Sequence, residues 1–280
     1  MLAPLQEPFM QRALAEVVLL GVAGGALGCW VVFYGLSYAA ESLSHSLFPG
    51  LVLAAIAGAP LLFGAVPAIV LAAVAIALAA RVAGVSRDAA VAVVVTTMFG
   101  LGVLLALAPA SPPGIESLLF GDVFGVSDGN LITAAILVVG VGVALRLLHG
   151  RLLVAGFDRG TARSLGVSPV LADAALLLVL GAGIVVAVQG LGNLLVVAVF
   201  VGPAAAARRL SDRMLPMMLL AAGLAALAGI AGLYLSYYAG TAGGASVALA
   251  IVAVYLLSLP AGRLRAVRRP LALPGEATIG

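Results

Sequence analysis

The chain has 280 residues, of which 64% are hydrophobic and only 9% charged, and its mean hydropathy is +1.26. No soluble core of this size accounts for so much apolar surface, so the composition excludes a soluble domain and points to a polytopic membrane protein. The formal charge of +3 rests on 14 basic residues that are all arginine; without lysine the chain has no Walker A loop of its own, and the basic residues concern membrane orientation rather than nucleic acid.

Glu7 and Arg12 precede a long apolar run over 13–35 that lacks a short apolar core followed by a small-residue cleavage site, so a retained first span is expected. Cys29, the single cysteine, lies in that run; it excludes an intramolecular disulfide and is expected as a small buried apolar side chain. Further spans are expected near 41–58, 60–80, 89–108, 130–148, 170–189, 194–207, 215–237 and 245–260. That makes eight or nine, because 194–207 rises only about 21 Å and the second and third runs are joined only by Gly58-Ala59-Pro60. Either place suits a broken or re-entrant element, which membranes tolerate where it is buried in protein or lines a polar cavity.

The second span is informative. A helix beginning at Leu47 and ending at Gly58 would rise only about 18 Å against a hydrocarbon core of roughly 30 Å. Starting it near Glu41 supplies the missing length and draws Glu41 and His45 into the membrane, four residues apart and so on one helix face. Carboxylate and imidazole together suit zinc, manganese or ferrous iron, and the pair supplies half of a four-ligand site that a second copy of the chain would complete. The alternative is a carboxylate at a helix start and a structural histidine.

Arginines mark one side of the membrane: Arg81 and Arg87, then Arg146, Arg151, Arg159 and Arg163, then Arg208, Arg209 and Arg213, and at the end Arg263, Arg265, Arg268 and Arg269. These segments are expected in the cytoplasm, with a disordered end from Pro270. The stretch 109–130 carries Glu116, Asp122 and Asp128 without arginine, is expected outside, and suits a short surface helix over 116–122. Residues 157–169 form the longest hydrophilic cytoplasmic stretch, expected as a short surface helix with Gly166 as its stop and Pro169 opening the next span. Gln189 and Asn193 are candidates for hydrogen bonds between helices, Asp173 for a first helical turn, and His149 for a solvated loop; none of the four is expected to bind metal.

Three of these segments together resemble one family, the membrane permeases of bacterial zinc, manganese and iron ATP-binding-cassette importers. Glu41-Ser42-Leu43-Ser44-His45, followed by Pro49-Gly50, is similar to its acid-x-x-Ser-His element. Asp158, Ala162 and Gly166 after Phe157 match its Asp-x-x-x-Ala-x-x-x-Gly coupling element, and Leu194-Leu195 with Pro203-Ala204-Ala205 and Arg208 is similar to its Pro-Ala-Ala helix. The resemblance implies an all-α importer permease bundle, with 1–262 as the transmembrane domain and 263–280 as a basic cytoplasmic tail. It also implies a homodimeric path in the bacterial inner membrane, fed by an extracytoplasmic metal-binding protein and driven by a separate ATPase subunit. Zinc, manganese or iron would be cargo, with no permanently bound cofactor. Glu41 and His45 are then the expected ion ligands, and Phe157, Asp158, Ala162 and Gly166 the ATPase-docking element. Many relatives carry aspartate where this chain has Glu41. The alternative is a permease for a metal chelate such as a siderophore or cobalamin, for which a metal-ligand pair at depth has no use.

Overall fold

The computed structural model describes residues 3–84, 86–115 and 117–267; Glu116, Arg268, Arg269 and Pro270, named above, lie outside the described residues. In chain order the helices are α1 (Pro8–Phe33), α2 (Ser37–Ile56), α3 (Leu61–Ala79), α4 (Arg87–Ala106), a short α5 (Ser117–Phe120), α6 (Asp128–Phe157), a short α7 (Arg159–Ser164), α8 (Pro169–Leu191), α9 (Asn193–Leu210), α10 (Met214–Ala239) and α11 (Gly243–Val267). Nine of these, among the described residues, are long and apolar enough to cross a membrane, and no strand occurs among them.

Both doubtful places are full helices. α2 begins at Ser37 and has 20 residues, about 30 Å, which brings Glu41 and His45 into the helix as the length argument requires. α9 runs unbroken through Pro203 for 18 residues, about 27 Å, because it takes in residues to Leu210 beyond the apolar run. α11 continues through 263–267, so the last helix carries the beginning of the basic segment.

Contacts between helix ends give their directions. Arg12 Nε lies 3.1 Å from Asp128 Oδ1, joining the starts of α1 and α6. At the other end the Tyr34 hydroxyl donates to the Leu152 carbonyl at 2.7 Å, and the Phe33 and Phe157 rings meet edge-on at 5.2 Å. The two helices are therefore parallel. α6 has 30 residues, about 45 Å, so it exceeds the hydrocarbon by roughly 15 Å, and its C-terminal half carries Arg146 and Arg151. That end also holds α7 and the arginines at the end of α9; the opposite end holds Arg12, neutralised by Asp128.

α1 is the central helix and packs against α6, α8, α9 and α10, burying Leu20, Leu27 and Trp30 completely. Lipid offers no hydrophobic drive between helices, so close van der Waals contact through small residues does the holding. Gly24 faces the Phe200 ring, Gly25 the backbone of α10 at Ala221, and a Cβ on Gly28 would strike the Phe200 carbonyl oxygen. Cys29 is buried beside Ala204, Met217 and Ala221, as a small apolar side chain. α3 turns only Ala65, Ala68 and Ala72 inward and leaves Leu62, Phe63, Val66 and Val70 on the outer surface.

Gly28→Ala should therefore force α1 and α9 apart, at a cost of at least the roughly 1–3 kcal/mol of ordinary overpacking. Gly140→Ala, where an added methyl meets nothing within 4 Å, is the control. Thermal unfolding in detergent should show a lower midpoint for the first and not for the second; equal midpoints would remove the close α1–α9 contact as a determinant of stability.

Candidate ion pathway and coupling element

Glu41 and His45 lie one turn apart near the start of α2, about 6 and 12 Å along the axis from Ser37. His45 Nε2 is 3.9 Å from Glu41 Oε1, with 23% of the histidine side chain and 57% of the glutamate side chain exposed. The imidazole rests on Phe99 of α4, ring centres 4.6 Å apart, so the histidine is partly enclosed while the carboxylate is largely open. No group of three or more His, Cys, Asp or Glu side chains that could enclose a metal occurs among the described residues. The chain thus brings one carboxylate and one imidazole together on a face of α2. A separate apolar cavity of about 380 Å³ between α2, α3 and α4, lined by Pro49, Phe63, Gly64 and Met98, has no ionisable residue in its wall.

Behind His45 lies the junction of α8 and α9. Gly192 takes φ +74°, a value that glycine adopts without strain, and the turn ends α8 inside the bundle rather than beyond it. Asn193, the first residue of α9, is fully buried; its Nδ2 lies 3.3 Å from His45 Nδ1, and its Oδ1 accepts from the Ser44 hydroxyl at 2.6 Å. The interhelical hydrogen bond expected of Asn193 is formed, and its partner is the candidate ligand. Sequence reasoning did not single out Glu16. It is 2% exposed, its Oε2 lacks a partner, and its carboxyl covers the α-carbon of Gly190. Its signal was a lone acid in an apolar run.

At the arginine-rich end, α7 is a short surface helix where 157–166 was expected to form one. Asp158 caps it, accepting from the Gly160 N–H at 2.8 Å and from the Thr161 hydroxyl. Those bonds, the Thr161 hydroxyl first, hold the Asp158 carboxyl below the usual carboxylate range. Ala162 is fully buried beneath the turn, and Gly166 ends it at φ +74°. Phe157, 77% exposed, and Leu165 stand out to either side. Pro169 opens α8 as expected. Asp173 does not sit in a first helical turn; it binds Arg159 through two contacts of 2.9 and 3.3 Å, tying α7 to α8. His149 is likewise inside α6 rather than in a loop, because that helix continues past the apolar run, and its ring meets Trp30 edge-on at 5.3 Å.

Nine helices long and apolar enough to span among the described residues, with an internal helix break beside ionisable side chains, define a polytopic membrane protein of the kind transporters are built on. The model of the ABC 3 transport family matches residues 6–261, and the chain belongs to that family. It is a multi-pass protein of the bacterial inner membrane. The chain is 31% identical over 222 residues to the manganese import system permease protein ScaB of Streptococcus parasanguinis, covering 78% of each. It is 30% identical to the chelated iron transport system membrane protein YfeC of Yersinia pestis, covering 81% of this chain and 77% of that one. Among solved structures, PsaBC from Streptococcus pneumoniae in complex with Fab superposes with a TM-score of 0.87 at 26% identity, over 94% of this chain and 96% of that chain.

The geometry of α7 generates a local prediction. Gly166→Ala places a side chain in the left-handed region, costing about 1–2 kcal/mol at that turn, while Arg159→Gln loosens α7 from α8. Hydrogen exchange of 158–167 should accelerate in both variants with the spans unchanged; unaltered exchange would show that α7 is held by other contacts.

Proposed function

We propose that this chain is the permease subunit of an ATP-driven importer of divalent transition metal ions (manganese, iron or zinc), working as a homodimer. The observation that carries this reading is the carboxylate–imidazole pair on α2: Glu41 and His45 share one face of the helix, and among the described residues no third His, Cys, Asp or Glu joins them to close a site. A two-fold partner would bring a second pair to the path and make up the four ligands such ions commonly take. Of the relatives, ScaB is named for manganese import, which lies within that substrate class, and YfeC for transport of chelated iron.

The arginine-rich end faces the cytoplasm by the positive-inside rule, which puts the starts of α1 and α6, with α5, on the outer face. Phe157, Asp158, Ala162 and Gly166 then form the docking element for a separate ATPase subunit, with Phe157 and Leu165 as exposed apolar contacts around a rigid capped turn. The outer face receives the ion from an extracytoplasmic metal-binding protein.

His45→Ala and Glu41→Ala should each abolish uptake of radioactive metal by proteoliposomes supplied with the ATPase and binding protein, while leaving a folded, ATPase-associated dimer. Glu41→Asp should keep uptake with a changed order of metal preference, and Glu41→Gln should lose it. Wild-type uptake by His45→Ala would return that histidine to a structural role. For orientation, a cysteine placed at Ser117 should react with an impermeant thiol reagent from the outside, the native Cys29 being buried and silent; labelling only from the cytoplasm would invert the assignment.

A further inference from the structure

We propose that Asn193 is a positioning residue for the ion ligand His45, and that its side-chain amide turns between two hydrogen-bonded settings as the ring takes up and releases a divalent cation. The inference rests on the reading of Glu41 and His45 as ion ligands and adds a residue on another helix, 148 positions away in the chain.

Asn193 and Ser44 are both fully buried. The Ser44 hydroxyl donates to Asn193 Oδ1 at 2.6 Å and lies 3.2 Å from the Asn193 main-chain carbonyl. With Oδ1 occupied by that hydroxyl hydrogen, the amide presents an N–H to His45 Nδ1, 3.3 Å away. Nδ1 then accepts, and the neutral ring carries its own proton on Nε2, the nitrogen that faces Glu41. In this setting Nε2 has no lone pair to offer a metal.

A cation bound at Nε2 needs the other tautomer, with the proton on Nδ1 and an acceptor beside it, which is how metal-binding histidines are ordinarily supported. Half a turn of the Asn193 amide supplies that acceptor. Oδ1 now faces Nδ1–H, Nδ2 donates to Ser44 Oγ, and the serine hydroxyl hydrogen passes to the Asn193 main-chain carbonyl already within reach. Every buried polar group keeps a partner in both settings, and the amide has nearly the same shape either way, so no repacking is needed. Water supplies the proton that Nδ1 gains and takes up the one that Nε2 loses, so the ring stays neutral and no co-reactant is consumed. The surrounding structure keeps Asn193 in place: Gly192 sets the entry to α9, and the turn at Gly121 after α5 lies directly on Leu191.

The test is initial-rate uptake of manganese and of zinc by the complete importer in proteoliposomes, with His45→Ala as the reference for the site itself. Asn193→Leu keeps the volume and removes the amide, and should lower kcat/KM by about 10–100-fold, the usual range for a lost partner of a metal-binding histidine. Asn193→Asp offers only acceptors and so holds the ring in its ligand tautomer; KM should fall several-fold and kcat should fall with it, because release is slowed. A merely structural asparagine would not split KM from kcat in this way. Where Asn193→Leu fails to fold, Asn193→Asp decides alone: a lowered KM with a lowered kcat supports the proposal, and any other pattern overturns it. Loss of uptake in His45→Ala with unchanged constants in both Asn193 variants overturns this inference and keeps the ion site; wild-type uptake in His45→Ala overturns the site as well.

Discussion

The arrangement depends on how closely α1 approaches its neighbours. Between apolar helices in lipid the gain from contact comes from packing, and packing at backbone distance requires residues without side chains. Gly28 against the Phe200 carbonyl and Gly25 against the backbone of α10 meet that requirement. With α1 and α9 so close and parallel, the start of α9 lies inside the bundle, where Asn193 reaches α2. The same register sets Gly190 beneath the carboxyl of Glu16, a place where any β-carbon would collide.

Inside that frame the buried polar groups among the described residues are few, and Glu16 Oε2, Trp30 Nε1 and Ser42 Oγ lack a hydrogen-bond partner. Ser44, Asn193 and His45 form one connected set whose members supply each other's partners, which is the condition for keeping polar groups away from water without a large penalty. Glu41 lies outside the set and is largely exposed.

The far end of α9 packs beside the end of α1 and the start of α7. The Arg208 guanidinium lies over the Phe33 ring at 5.9 Å, Phe33 meets Phe157 at 5.2 Å, and Phe157 leads directly into the Asp158 cap of α7. Side-chain contacts therefore link the start of α7 through the end of α1 to α9, the helix whose first residue touches His45.

Reading along the chain locates whatever is set by neighbours in sequence. The spans are legible because a membrane demands about 20 apolar residues per crossing, and the Asp158 to Gly166 turn because a cap and a left-handed stop act within a few residues. Glu41 and His45 share a face by helical spacing alone. Pairings across the chain carry no such local mark. Nothing near Asn193 reveals that Ser44 and His45 lie beside it, nothing near Asp173 reveals Arg159, and Glu16 sits in an apolar run whose length alone already explains a span. The sequence leaves open the side of the membrane on which α1 starts; the ion pair with Asp128 and the contact of Phe33 with Phe157 make α1 parallel to α6. Helical periodicity specifies which residues share a face, and only the packing of one helix on another specifies what that face meets.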